Sequence, residues 1–361
     1  MNEAGDEILN AVTVLLPRLL GVLDTLDGIA RRMHPPRLPD LARSIGDQNA
    51  VLADTLAQFR ALPWPDDLTQ FRDQVSLSCD YALKACDGLR TAADSGDRFG
   101  GGRALRASTR ATEALYPLVT VLPTVSRFFL NPPQRDDTAL VRRLAVPRPN
   151  TGILSARNER DERGGFSVYV PEDYDPARQY PLVMALHGGA GHGRLFLWTW
   201  LREARGRGLI LVAPTAIGDT WSLREPELDA GNLAHILDQV RQQWPVDASR
   251  LLLTGMSDGG TFTLLSGLSD DSPFTHLAPV AASFHPMLLA MAEPSRLAGL
   301  PVYLVHGALD WMFPVDVART ANQALTAAGA RVTYREIADL SHTYPREEND
   351  AITDWLLGDA A

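Results

Sequence analysis

Three residues of this chain have the types and spacing for nucleophilic chemistry: Ser257, Asp310 and His342. Ser257 is the middle of Gly255-Met-Ser-Asp-Gly259, between the apolar run Leu251 to Thr254 and a helix-like segment that resumes past Gly259-Gly260. A serine held on so tight a strand-to-helix turn needs neighbours without side chains, because a Cβ at 255 or 259 crowds the backbone. Its hydroxyl is a weak nucleophile at its free pKa and needs a base within hydrogen-bond reach. His342, past the run Val332 to Ile337, is the candidate base. Asp310, past the run Val302 to Val305, would hold the imidazole in the useful tautomer and stabilise its protonated form. Together they describe acyl transfer through a covalent intermediate.

The tetrahedral oxyanion of such a reaction must be met by backbone N–H groups. One is that of Asp258, directly after the nucleophile; the second is sought in His187-Gly-Gly-Ala-Gly-His-Gly193, with Gly189 or Ala190 the candidates. Trp198, Trp221 and Trp311 are candidates for lining an acyl or aromatic pocket, with ordinary core as an equal reading for each, as for Trp200. Asp316 competes with Asp310 for the acid, but follows Pro314 at an expected helix start, which suits capping. Asp270 and Asp271 are weaker rivals, and His276 and His285 serve as bases only if the chain order Ser, Asp, His is wrong. His187 reads as a structural turn residue and His192 as a loop or rim residue. No cluster has metal-ligand spacing and no nucleotide fingerprint is present, so neither a metal nor another cofactor is expected.

Positioning these residues requires a sheet. From about Arg148, short apolar runs alternate with helix-like segments: Gly152 to Ser155, Phe166 to Val170, Leu182 to Leu186, Leu209 to Ala213, Leu251 to Gly255, Val280 to Phe284, Val302 to His306 and Val332 to Ile337. The pattern predicts an α/β domain with a mostly parallel sheet flanked by helices, its first two strands forming an antiparallel edge. In such sheets ligands collect beyond the carboxyl ends of the strands. Each candidate site residue follows a strand there.

The first third of the chain reads differently. Ile8, Val12, Leu15, Leu19, Val22, Leu26 and Ile29 form one helical stripe. Leu41, Ile45, Leu52, Leu56 and Phe59 form a second, and Leu68, Phe71, Val75, Cys79, Ala82, Cys86 and Leu89 a third. A fourth segment follows the expected flexible break Gly100-Gly-Gly102 and is divided by Pro117 and Pro123. An all-α helical bundle over residues 1–134, a linker over 135–149 and an α/β domain over 150–361 are expected. The bundle carries no catalytic cluster, so it reads as a packing or homo-oligomerisation module, or as a shade over the site of the second domain.

Composition narrows the partners. The net charge is −10 over 361 residues and the basic residues are scattered, which excludes the footprint of a nucleic-acid binder. Cys79 and Cys86 lie about two helical turns apart, too far for a disulfide within one helix. The apolar stretch before Leu23 is interrupted by Pro17 and Arg18 and lacks a cleavage site, so neither a signal peptide nor a membrane span is expected, and the location expected is cytoplasmic.

The stretch Val168-Tyr-Val-Pro171-Glu-Asp-Tyr174 through Tyr180-Pro181 to His187-Gly-Gly189 resembles the α/β-hydrolase superfamily. So do Val212-Ala-Pro214, Gly218-Asp219-Thr-Trp221, the Ser257 elbow, His306-Gly307 with Asp310, and His342. Within it, the likeness is to phospholipase/carboxylesterase-like and polyhydroxybutyrate depolymerase-like serine esterases, over about residues 150 to 358. It implies an α/β-hydrolase fold and a carboxylic ester hydrolase using Ser257, His342 and Asp310. Superfamily members with aspartate or cysteine at the elbow, the dehalogenases, epoxide hydrolases and dienelactone hydrolases, do not match. The short segment between Phe284 and Val302 leaves no room for a large lid, which favours small or medium soluble esters. Amide, peptide or carbamate cleavage by the same triad is the alternative, followed by a non-catalytic binding protein that keeps the fold.

Overall fold

A computed structural model of the protein describes residues 3–146 and 148–358. The ends of the two expected domains, residues 1–2 and 359–361, and Pro147 of the expected linker lie outside the described residues. The chain forms two compact units, Met1–Phe128 and Phe129–Ala361.

The first unit is helical. Glu3–Arg31 buries Leu15, Leu19, Leu26 and Ile29 as its stripe predicts. It is the one helix among the described residues long and apolar enough to cross a membrane by length and composition, and this stripe is packed inside the unit. The second stripe is carried by two helices, Leu38–Arg43 and Gln48–Ala61, because the chain turns at Gly46 with φ +59°. Thr69–Ser95 ends at a left-handed Gly96 and buries both cysteines, whose thiols burial pushes up to about 12 for Cys79 and about 11 for Cys86. The expected flexible break at Gly100–Gly102 is instead the first turn of Gly100–Leu115. A Cβ on Gly100 would sit 2.6 Å from that of Ala92, so this glycine admits the neighbouring helix closely.

The unit boundary falls earlier than expected, and residues 135–149 are not a free linker. Short helices occupy Pro132–Arg135 and Thr138–Leu144, the second capped by Asp137, which accepts from the amides of Ala139 and Leu140. Leu130, Leu140 and Leu144 form a small buried cluster. Asn131 donates to Glu203, and the Phe129 ring lies 5.9 Å from Trp198, both within the second unit. Prolines that look like linker punctuation here start a helix, since proline suits the first helical turn.

The second unit holds an eight-stranded sheet: β1 Gly152–Ala156, β2 Phe166–Val170, β3 Tyr180–Leu186, β4 Ile210–Pro214, β5 Val246–Met256, β6 His276–Val280, β7 Pro301–Gly307 and β8 Arg331–Ile337. Their order is β1-β2-β4-β3-β5-β6-β7-β8. β1, β2 and β4 pair antiparallel, and the rest are parallel. Central β3 and the apolar half of β5 are covered on both faces, which is why they read as unbroken apolar runs. β6 lies before its expected place at 280–284: Pro279, which lacks a ladder donor, disguises it, and Ala281 at φ +47° ends it. The stretch from 281 to 300 holds only two short helices, Met287–Met291 and Pro294–Leu297.

One charged pair lies inside this unit: Arg205 Nε meets Glu172 Oε1 at 2.9 Å with side chains 0% and 3% exposed, and Tyr169 donates to Glu172 at 2.6 Å. Removing one partner of such a pair strands the other charge in a low dielectric. Arg205→Met is therefore expected to lower the stability of this unit by about 3–5 kcal/mol in urea unfolding.

Candidate active site

β5 runs directly into the helix Asp258–Gly267, and Ser257 stands at the junction with φ 56° and ψ −119°. A non-glycine residue in that region stores about 1–3 kcal/mol unless its surroundings over-determine it. They do so here. The Ser257 amide donates to Val280 O at 2.9 Å. A Cβ on Gly255 would lie 2.5 Å from the Gly259 carbonyl, one on Gly259 2.4 Å from His187 O, and one on Gly260 2.7 Å from Val280 O. The glycines of the motif are therefore required by backbone approaching backbone.

The loops after β5, β7 and β8 bring the three predicted residues together. Ser257 Oγ lies 3.0 Å from His342 Nε2, and His342 Nδ1 lies 2.8 Å from Asp310 Oδ2. The other Asp310 oxygen accepts the amides of Met312 at 2.9 Å and Phe313 at 2.8 Å. Burial pushes the Asp310 carboxyl up, but the hydrogen bonds and charge of His342 and the Phe313 and Met312 amides outweigh it and hold it below its ordinary value. An ionised Asp310 fixes the proton on His342 Nδ1 and leaves Nε2 to accept from Ser257. The acid and base loops are braced against each other: Leu309 donates to Leu340 O at 2.9 Å, and a Cβ on Gly307 would sit 2.3 Å from that same oxygen. The Phe313 ring meets the His342 ring edge-on at 5.4 Å.

The glycine-rich loop after β3 lies against the elbow. A Cβ on Gly188 would be 3.5 Å from Ser257 Cβ, and one on Gly189 would be 2.8 Å from Asp258 Oδ2. Ala190 adopts φ +51°. Both ends of the loop are held from elsewhere. His187, 1% exposed, accepts the Ala216 amide on Nε2 at 3.1 Å, and its Nδ1 lies 2.7 Å from Gly188 O. The Trp221 indole donates to His187 O at 2.7 Å. At the other end Arg163 bridges Gly191 O, at 2.7 Å, and Gly218 O, at 2.9 Å. Buried Asp229 in turn accepts the amides of Ile217 and Ser222 at 3.0 and 2.8 Å. Arg163 and Asp229 had no motif to mark them in the sequence, and Thr220, whose hydroxyl donates to Asp258 at 2.6 Å, lies in the Gly218-Asp219-Thr-Trp221 stretch, where nothing singles out its hydroxyl.

The tryptophans divide. Trp221 is 1% exposed and stacks on Phe262, and Trp198 is 6% exposed and packs on Phe129, so both occupy packing positions, the core reading of the two their residue type left open. Indoles are large enough to fill core gaps, and residue type alone does not separate the two roles. Trp311, next to Asp310, is half-buried, while Trp200 is buried. Among the rivals, Asp316 is exposed in the first turn of Val315–Ala327 and pairs with Arg319 at 2.9 Å. Asp270 accepts the Glu293 amide and Asp271 the Ser269 hydroxyl. His276 is buried against Trp355, and His285 is exposed. His192 caps Gly193–Phe196 by accepting the Arg194 amide. Among the described residues no group of three or more His, Cys, Asp or Glu side chains is arranged to hold a metal ion.

A mostly parallel sheet with a serine on the strand-to-helix elbow, and an acid and a histidine on later strand-end loops, defines an α/β-hydrolase domain. Residues 228–357, all within the second unit, match the phospholipase/carboxylesterase family. The chain is 25% identical over 211 residues to a bifunctional acetylxylan esterase/xylanase of Neocallimastix patriciarum, covering 55% of this chain and 29% of that protein. It is 30% identical over 103 residues to a probable feruloyl esterase C of Aspergillus niger, covering 26% of this chain and 37% of that one. It thus spans well under half of either relative. Among solved structures, a thermostable esterase aligns at 20% identity and a TM-score of 0.45, over 57% of this chain and 62% of its own.

Burial pulls the His187 imidazole down to about 4. Below its ordinary value near 6.5 the unfolded chain takes up a proton that the folded state refuses until about 4. His187 therefore contributes full stability above pH 6.5, and that contribution is lost as pH falls to about 4, by up to about 3 kcal/mol. Urea unfolding between pH 7.5 and 4 is expected to show this slope, and His187→Gln, which cannot titrate, to show a shallower one.

Proposed function

We propose that the second unit is a serine esterase that cleaves carboxylic esters through an acyl-enzyme. The observation that carries the reading is the continuous chain Asp310–His342–Ser257, 2.8 and 3.0 Å long at its two links, ending on a strained elbow. His342 Nε2 takes the Ser257 proton as Oγ attacks the ester carbonyl, and Asp310 stabilises the imidazolium that forms. The oxyanion is met by the amide of Asp258 and by that of Gly189 or Ala190. Collapse expels the alcohol with the proton from His342. Water then repeats the sequence on the acyl-enzyme and releases the acid.

The match to the phospholipase/carboxylesterase family supports ester rather than amide cleavage, and so do the relatives named as acetylxylan and feruloyl esterases. Soluble esters of small or medium acyl groups are the proposed substrates. The modest segment from 281 to 300 favours an accessible site, and acetyl and aromatic acyl groups on carbohydrate are the first to try.

Ser257→Ala is expected to lose at least about 10⁴-fold in kcat on p-nitrophenyl acetate while keeping its circular dichroism spectrum, and Asp310→Asn about 10³-fold or more. A fluorophosphonate probe is expected to label wild-type Ser257. Undiminished ester turnover by pure Ser257→Ala protein would overturn the assignment. A panel of esters of rising acyl length, with a peptidyl amide beside it, reads the substrate class directly.

A further inference from the structure

Asp258 has a second group at the site besides its amide. Its carboxylate lies between two other loops. Oδ2 accepts the Thr220 hydroxyl at 2.6 Å, from the loop after β4. The same Oδ2 lies so near Gly189, on the loop after β3, that a Cβ there would stand 2.8 Å from it and 3.4 Å from the carboxylate carbon. The two ends of the β3 loop are anchored by Trp221, Ala216 and Arg163, as described above. Its middle, at Gly188 and Gly189, rests on Ser257 and on this carboxylate.

We propose that the Asp258 side chain, steadied by Thr220, is a positioning residue that sets the distance between the Gly189 segment and the nucleophile elbow, and so the spacing of the two oxyanion donors. The inference rests on the serine-esterase reading. One donor is the amide of Asp258 itself, and the other is on the loop its carboxylate touches. One residue thereby gauges both. Thr220 adds a short hydrogen bond to a charged acceptor, which is stronger and more directional than a neutral one. It also removes rotamer freedom from a half-buried carboxylate that would otherwise reorient toward water. Gly189 is then glycine because the carboxylate occupies the space of its side chain, a reason separate from any need for a positive φ. An acid in the first turn of a helix also stabilises that helix through its dipole, and this purely structural role predicts different kinetics.

The test uses the full chain and a p-nitrophenyl ester, with kcat and KM measured well below the unfolding temperature of each variant. Asp258→Ala and Thr220→Val are each expected to lower kcat about 10- to 100-fold with KM within about twofold, since losing one oxyanion donor costs about 10²–10³ and these variants only misplace it. Thr220→Ser and Asp258→Asn, which keep the hydroxyl and an acceptor oxygen, are expected to return most of the rate. The double variant Thr220→Val/Asp258→Ala is expected to be no slower than Asp258→Ala alone. The proposal is overturned if Asp258→Ala keeps wild-type kcat while melting earlier, if the losses fall on KM, if the two single effects multiply, or if the conservative variants rescue nothing. Fluorophosphonate labelling of the wild type separates the two levels. An unlabelled, inactive wild type defeats the esterase reading itself, and a labelled, active wild type beside an unaffected Asp258→Ala defeats this proposal alone.

Discussion

The site depends on a contact between backbones. β5 ends and the helix Asp258–Gly267 begins within one residue, and Ser257 is held at φ 56° because Gly255, Gly259 and Gly260 let the backbone of the elbow, of β3's end and of Val280 approach where no Cβ fits. That crowding lifts the hydroxyl out of the sheet edge toward His342 and keeps the strained conformation from relaxing. A methyl group at 259 would meet His187 O at 2.4 Å and push apart the elbow and the glycine-rich loop together. The geometry of the Ser257 elbow and that of the glycine-rich loop are thus two consequences of one packing arrangement.

Around that contact the strand-end loops are cross-braced in two groups. The acid and base loops share a brace at Leu340, where Gly307 has no room for a side chain. The glycine-rich loop and the loop after β4 share His187, Trp221, Arg163 and Asp229. These groups are neutral, or charged and hydrogen-bonded to backbone, so they rigidify without placing a competing base near Ser257. His187 shows this well: burial drives its imidazole to about 4, so it stays neutral and serves as a hydrogen-bonding post at physiological pH. In the proposed acyl transfer, preorganisation of this kind would let backbone dipoles stabilise developing charge without reorganising.

The readings that moved under the structure share a cause. Gly100–Gly102 and Asn131-Pro-Pro look locally like breaks, yet one opens a helix pressed against Ala92 and the other opens helices packed on Leu130 and Leu144. Pro279 hides a central strand for the same reason. Glycine and proline report a backbone restriction, and whether that restriction ends an element or admits a neighbour is set by what lies across from it. For Trp198 and Trp221 the sequence left core and pocket wall equally open, since an indole fills a core gap as readily as it walls a pocket, and both are buried.

By itself, the sequence determined the helical character of the first unit, the α/β character of the second, the core of every strand but β6, and the order Ser257, Asp310, His342 on three separate strand ends. These are written in periodicity and in motifs whose residues are close along the chain. The tertiary structure alone decided where the first unit ends, and that Trp221 anchors a turn. It alone showed that Thr220, Arg163 and Asp229 hold the loops, and that the Asp258 carboxylate lies against Gly189. Those contacts join residues far apart in sequence and of ordinary type, and their proximity exists only once the sheet has set its strand ends side by side.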